Sequence, residues 1–302
     1  MLIKKTLEFQ KGIQLFFQTN IDFQKPRIFL SSGTSKKIEQ TLTQIKYCKG
    51  AFVPQESWRE PNTEEKSLLG INKQLTNISR QDLHPFIGLI RIPDKVLAPL
   101  EAILENVRKS PVIALEAWQA VVTHPEVENV IAEVSNYLTP YCLSRERFKV
   151  LGLHIKPPGL KTVTVNCANN QSENIYIGMH LDSWDRYPLR RRHKSRNRVC
   201  INLGCEDRFF LFINLTLMDM FYALGLLAPK DIYKHYRGTE LGNEFMKQYP
   251  SYPVVKLTVR PNEAYIAPTD NLIHDASTSG KKYADITLTF LGDFGIPLYT
   301  EG

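Results

Sequence analysis

The chain reads as an α+β fold, a mainly helical amino-terminal region followed by a two-sheet jelly-roll core, and three observations predict it. Apolar residues recur at helical spacing up to about residue 148 and then lose that period. From Lys149 onward, eight short segments alternate apolar and polar residues, each bounded by Gly, Pro, Asn or Asp. Eight such strands suit a jelly roll or a related closed sandwich. With 302 residues the chain can bury a large core, as one elaborated domain or two intimate ones. The division follows the change of period: a supporting region over 1–148 and a catalytic core over 149–302.

In the first region, Thr34 to Tyr47 opens with residues able to cap a helix and carries Ile38, Leu42 and Ile45 at helical spacing. Gln55 to Ser79 is polar without a period and reads as a loop or lid. Val96 to Val107 and Val112 to Val122 are again helical. After Pro125, the stripe Val127, Val130, Ile131, Val134 and Leu138 defines one more helix, which Pro140 ends. In the second region the strands are Val150–Ile155, Thr162–Asn166, Ile175–Asp182, Arg198–Leu203, Arg208–Leu215, Val254–Arg260, Glu263–Ala267 and Asp285–Leu291. A helical insertion near 217–248, beginning with Met218 to Leu227, interrupts them.

The strand over 175–182 carries the chemistry. Side chains alternate along a strand, so His180 and Asp182 share a face while Leu181 points away. Ile175, Ile177, Met179 and Leu181 form the apolar face, and Tyr176, Gly178, His180 and Asp182 the polar one. A wall with one such face suits a barrel with an open polar cavity. His274, after the run Glu263 to Asp270, can return from across the barrel. Two histidines and a carboxylate on one side of an ion leave the remaining positions open, the arrangement of non-heme Fe(II) oxygenases. His154, in an apolar strand, reads as a core residue, and His193 lies in a basic loop.

Composition limits the alternatives. The 43% hydrophobic and 23% charged content is that of a soluble globular protein, and no run approaches the roughly 18 apolar residues of a membrane span. Glu8, Gln10 and Lys11 stand where a signal peptide would be apolar, so a cytoplasmic location is expected. The five cysteines are scattered without a CxxC pair, which suits a reducing compartment. The net charge of +7 concentrates between residues 186 and 198, where Arg186, Arg190, Arg191, Arg192, Lys194, Arg196 and Arg198 meet no acid. Such a segment suits an anionic or carrier-bound substrate, or a nucleic-acid or acidic-protein partner. It lacks the interleaved aromatics of a stacking platform, which makes nucleic acid the weaker reading.

His180-Leu181-Asp182 with the distal His274, over roughly residues 150–295, resembles the Fe(II)- and 2-oxoglutarate-dependent dioxygenases. The resemblance implies a double-stranded β-helix of the cupin-like, jelly-roll kind, with iron held by His180, Asp182 and His274 and with 2-oxoglutarate and O2 as co-substrates. It also implies hydroxylation or desaturation of a C–H bond in a small, amino-acid-like or carrier-bound substrate, since related halogenases carry a small residue at the position of Asp182. Many members place an arginine for the far carboxylate of 2-oxoglutarate about ten residues after the distal histidine. This chain has Asp285-Ile286-Thr287 there instead. Others, the JmjC-like hydroxylases among them, take the cation from an earlier strand, where strand parity offers Arg198 and Arg208, with Lys281 and Lys282 a third choice. Asn202, Thr287, Tyr176, Trp184 and Tyr187 are further pocket candidates. A cupin-type isomerase, or a Mn or Zn hydrolase without 2-oxoglutarate, remains a rival on the same fold, and a non-enzymatic anion-binding module acting through 186–198 a rival of another class.

Overall fold

The computed structural model describes residues 5–18, 20–36, 45–71, 85–166, 174–226 and 238–295. In chain order the elements are β1 (Gln14–Phe17), β2 (Ile28–Leu30), β3 (Thr34–Lys36), β4 (Lys46–Tyr47), β5 (Phe52–Pro54), α1 (Thr63–Leu68), β6 (Phe86–Arg91), α2 (Asp94–Arg108), α3 (Leu115–Val122) and α4 (Val127–Leu138). There follow β7 (Lys149–Lys156), β8 (Ile175–Tyr176), β9 (Asn197–Asn202), β10 (Arg208–Thr216), α5 (Leu217–Ala223), α6 (Gly238–Gln248), β11 (Val255–Val259), β12 (Glu263–Ala267), β13 (Leu272–Ser277) and β14 (Asp285–Gly292).

Two facing sheets make the core. The larger has the order β1-β6-β12-β9-β14-β7, antiparallel except where β1 meets β6, and the smaller has the order β13-β10-β11-β2. Period-2 alternation sends successive side chains to opposite faces. In β14, Ile286, Leu288 and Phe290 therefore pack outward under Leu97, Leu100, Leu104, Val130, Val134 and Leu138 of α2 and α4. In β10, Leu211 and Ile213 pack outward on Met220, Phe221, Leu241 and Phe245 of α5 and α6. Phe210, Phe212, Leu257, Val259, Cys200 and Tyr265 fill part of the space between the sheets. The result is a jelly-roll sandwich with a helical layer outside each sheet.

The amino-terminal region combines its helices with short strands. The helices α2, α3 and α4 stand where the apolar stripes put them, but β1 and β6 extend the larger sheet and β2 the smaller one. The helix read over Thr34–Tyr47 is replaced at both described ends by strands, β3 paired with β5 and β4 with β8, while 37–44 lie outside the described residues. Within 55–79, α1 forms because Asn62 and Glu65 make a reciprocal capping box; 72–79 lie outside the described residues. The expected strand over Thr162–Asn166 reduces to one bridge, Val165 with Tyr176. Of the insertion, α5 and α6 are described and 227–237 are not.

Candidate metal centre

The segment from Ile175 to Asp182 is not one continuous strand. Gly178 takes φ +74°, and an added Cβ would stand 2.3 Å from the carbonyl oxygen of Phe52, so only glycine fits this turn. Beyond it the chain pairs again: the His180 amide donates to the His274 carbonyl at 2.9 Å, and the His274 amide returns the bond at 2.8 Å. The Asp182 amide then donates to Thr269 at 3.1 Å. Met179 and Leu181 pack into the core against the smaller sheet. The alternation read from the sequence thus holds over 179–182 and breaks at Gly178, before which Tyr176 is buried among Leu160, Val163 and Ala276.

The bridge sets the two imidazoles side by side, their centroids 4.8 Å apart. Each Nδ1 faces the carbonyl two residues earlier, His180 that of Gly178 at 2.9 Å and His274 that of Leu272 at 3.2 Å. A ring donating through Nδ1 presents an Nε2 lone pair, which orients it as a metal ligand. Asp182 lies 3.8 Å from His180 Nε2 and 3.6 Å from His274 Nε2, and the donor atoms of all three residues fall within 4.8 Å of one another. His274 Nε2 is buried without a hydrogen-bond partner, and Asp182 Oδ2, 3.6 Å from it, is met only by the Arg198 guanidinium. Leaving such a nitrogen unsatisfied costs about 1–3 kcal/mol. A divalent ion among them removes that cost, and two imidazole nitrogens with one carboxylate suit Fe(II).

Electrostatics bind these groups together. Burial opposes a charge on Asp182, but Arg198, whose Nη2 lies 3.0 Å from Oδ2, and the two histidines outweigh it and hold the carboxyl far below its usual range. Burial likewise opposes protonation of His180, yet Asp182 and Asp275 push its pKa up to about 10. His274, by contrast, is pushed down to about 4, chiefly by burial. Asp275 stands behind His180, its Oδ2 3.7 Å from Nδ1 and without a hydrogen-bond partner. Its other oxygen accepts from the amides of Val163 and Ala276 and from the Thr164 hydroxyl.

The three candidate ligands line a cavity of about 500 Å³ between the sheets, together with Arg198, Arg208 and Thr287. Arg208 is buried. Its Nε lies 3.2 Å from Asp285 Oδ2, its Nη1 donates to Cys200 Sγ at 2.7 Å, and its guanidinium stands 5.8 Å from the Tyr265 ring centre. Asp285 also receives Lys281 Nζ at 2.8 Å. Lys281 is thus buried in this network. Arg198 lies beneath Trp184, 5.4 Å from its ring centre. Asn202 is not brought to the cavity: its amide donates to the carbonyls of Glu206 and Val259 and its oxygen accepts from Gly204, closing a turn. Tyr176 and Tyr187 do not line the cavity either.

His154 is not a core residue. It lines the cavity, its Nε2 2.9 Å from Thr289 Oγ1, and burial followed by the charges of Arg198, Lys156 and Arg208 lowers its pKa to about 4. His193 lines a separate hollow with Thr216 and Asp219. The basic segment is more tied down than a solvated loop: Leu189–Lys194 forms a short 3-10 helix, Arg196 pairs with Asp185, Arg192 lies 3.6 Å from Asp270, and Arg198 pairs with Asp182. Asp275, Asp285, Tyr265 and Thr289 were missed as site residues. Parity on β12 and β14 points the last two inward, but the partners of the aspartates come from distant segments.

Solved structures of the Kdo hydroxylase KdoO, a non-heme Fe(II) alpha-ketoglutarate-dependent dioxygenase, are similar to this chain. Its cobalt(II) complex matches with a TM-score of 0.35 at 15% identity, covering 68% of this chain and 79% of that one. Its complex with alpha-ketoglutarate and Fe(III) matches with a TM-score of 0.35 at 14% identity, covering 69% and 80%. No protein-family model and no curated protein matches the chain.

Proposed function

We propose that this chain is a non-heme Fe(II) oxygenase that uses 2-oxoglutarate to hydroxylate or desaturate a C–H bond of a small organic molecule. The observation that carries the reading is His274 Nε2, buried without a hydrogen-bond partner and clustered with Asp182 and His180 in a cavity that also contains a buried guanidinium. His180, Asp182 and His274 would hold the iron, which when bound supplies the activation of O2 that couples decarboxylation of 2-oxoglutarate to substrate oxidation. The chain itself orients the reactants. The hydrogen bonds from both Nδ1 atoms fix the imidazole rings, and Arg198 holds Asp182 through its Oδ2.

Arg208 is the better anchor for the far carboxylate of 2-oxoglutarate. Arg198 is committed to Asp182, whereas Arg208 and Lys281 share one carboxylate, Asp285, and so leave a positive charge at the buried end of the cavity. The planar guanidinium suits bidentate contact with a carboxylate. Thr287, two residues along β14 from Asp285, faces the same cavity and offers a hydroxyl. No helix among the described residues is long and apolar enough to cross a membrane, and Cys48, Cys142, Cys200 and Cys205 are unpaired. Those thiols support a reducing compartment such as the cytoplasm.

The test is anaerobic addition of Fe(II) and 2-oxoglutarate while recording the weak visible charge-transfer band of the chelated keto acid. The band is expected in the wild type, retained in Arg198→Ala and lost in Arg208→Ala at the same 2-oxoglutarate concentration. Folded wild-type protein without the band would sink the assignment, and the opposite pattern in the variants would exchange the two arginines.

A further inference from the structure

Gly152 leaves a gap in the inner face of the larger sheet, and the side chain beside that gap is His154. Along β7, the partners of Asp285, Thr287 and Thr289 on β14 are Lys156, His154 and Gly152 in turn. His154, Thr287 and Thr289 line the cavity that contains His180, Asp182 and His274. Glycine puts no side chain opposite Thr289: an added Cβ would meet nothing within 4 Å, and φ of +99° disfavours any other residue. The His154 imidazole reaches Thr289 diagonally, Nε2 to Oγ1 at 2.9 Å, and stays exposed beside this open space.

Two contacts fix how the ring presents its nitrogens. The Thr289 hydroxyl also lies 3.4 Å from the Gly152 carbonyl, an oxygen that can only accept. Both contacts are hydrogen bonds only if the hydroxyl donates to Gly152 and accepts from His154, so Nε2 carries the imidazole proton. Burial, then the charges of Arg198, Lys156 and Arg208, lower the ring's pKa to about 4, and it is neutral near pH 7. Nδ1 is then a lone-pair acceptor. Among the described residues, the bond to Thr289 is the ring's one hydrogen bond. An acceptor of this kind favours molecules that bring a donor, because a partner without one leaves it unmet.

The position of the ring suits a second reactant. Along the sheet, His154 stands between the row of Asp285, which pairs with Arg208, and the row of Arg198, beneath Trp184. Trp184 and Val150 line the same cavity and are 42% and 39% exposed, so it opens on their side. We propose that His154 is a specificity-determining residue for the molecule oxidised here: its Nδ1 accepts a hydrogen bond from a hydroxyl or primary amide of that molecule, whose carbon skeleton packs against Trp184. The inference rests on the oxygenase reading for the word oxidised, and on the cavity for the donor. The competing explanation is structural: the bond from His154 to Thr289 holds the edge strand β7 on β14.

Two measurements on the full chain decide it. Nitrogen-15 NMR of the histidine-labelled, metal-free protein at pH 7 should show His154, assigned by its absence in His154→Phe, as the Nε2–H tautomer; an Nδ1–H ring would overturn the proposal. The chain loaded with Co(II), a redox-inert stand-in, and 2-oxoglutarate is then titrated calorimetrically with small alicyclic and aromatic alcohols and primary amides. Each is compared with an analogue in which methyl replaces the hydroxyl or the amide nitrogen. The donor-bearing compounds are expected to bind about tenfold more tightly. His154→Phe should lose that preference, and His154→Gln, whose amide oxygen can accept, should keep part of it. Both should bind Co(II) and 2-oxoglutarate within twofold of wild type, and His154→Ala serves if the phenyl ring prevents folding. A purely structural role predicts a lower Tm in His154→Phe with the preference intact. That result, equal binding of the methyl analogues, or no binding by any donor-bearing compound would overturn the proposal. If Co(II) or 2-oxoglutarate does not bind, the oxygenase reading fails separately, and the tautomer with the same titration of the metal-free protein still decides the role of His154.

Discussion

At the scale of single residues, His180 and His274 occupy one cleft but sit on opposite sides of neutrality. In the metal-free fold, His180 carries a proton that Asp182 and Asp275 hold against the cost of burial, with its pKa raised from 6.5 to about 10, while burial holds His274 neutral. By linkage, the His180 proton stabilises the metal-free fold in full below about pH 6.5, and that contribution is lost as pH rises through about 10. A metal ion must displace the same proton from Nε2. Co(II) binding between pH 7 and 9 is therefore expected to release close to one proton, and its affinity to rise about tenfold per pH unit. Calorimetric titrations in two buffers of different ionisation enthalpy measure the release. Asp275→Asn keeps an acceptor for the amides of Val163 and Ala276 but removes one carboxylate facing His180, so its proton release should drop well below that of wild type. A pH-independent affinity in the wild type would remove the assignment of this proton to His180.

At the scale of elements, one glycine decides whether the ligand segment is presented correctly. Gly178 ends the pairing of β8, turns the chain, and offers its carbonyl to His180 Nδ1. Gly178→Ala must adopt an unfavourable backbone conformation, costing about 1–3 kcal/mol, and also clashes with the Phe52 carbonyl. Gly225→Ala is the control, because φ there is +76° but an added Cβ meets nothing within 4 Å. Both variants should melt below wild type, and only Gly178→Ala should also bind Co(II) more weakly, by tenfold or more, once the His180 ring loses its fixed partner. Equal Co(II) affinity in the two variants would show that the turn is structural only. The same segment marks what was legible beforehand. The alternation of His180, Leu181 and Asp182 was readable because the period of a strand is local, but the turn at Gly178 is imposed by the approach of residues 51 and 52, more than a hundred positions earlier. Strand β13, which carries His274, was not read as a strand because Leu272 to Ser277 is buried on both faces and shows no alternation.

For the whole molecule, the helices α2 and α4 and the strands β7, β9 to β12 and β14 were legible because one face of each is apolar and the other is not. The short strands β1 to β5 were not, since two to four residues carry no period and their partners are distant in sequence. Among the candidate site residues, the proposed ligands showed in a short motif and a distal histidine, while the Arg208, Asp285 and Lys281 network depends on packing across strands. That division has a thermodynamic consequence. His180 and His274 are joined in the sandwich by one two-residue bridge, and Asp275 ties the same strand to residues 163 and 164. An ion held by His180, Asp182 and His274 would add a link between segments some ninety residues apart, so its binding energy should appear as stability of the entire fold. At a free ion concentration one hundred times Kd the gain is about 2.7 kcal/mol, which for a chain of this size raises Tm by roughly 5 °C. Differential scanning calorimetry with and without Co(II) measures it. The shift should vanish in His274→Ala, and it should shrink as pH falls from 8 to 6 at fixed total Co(II), because the His180 proton then competes more strongly. A shift of the same size in His274→Ala would place the ion elsewhere and remove the metal centre proposed between the sheets.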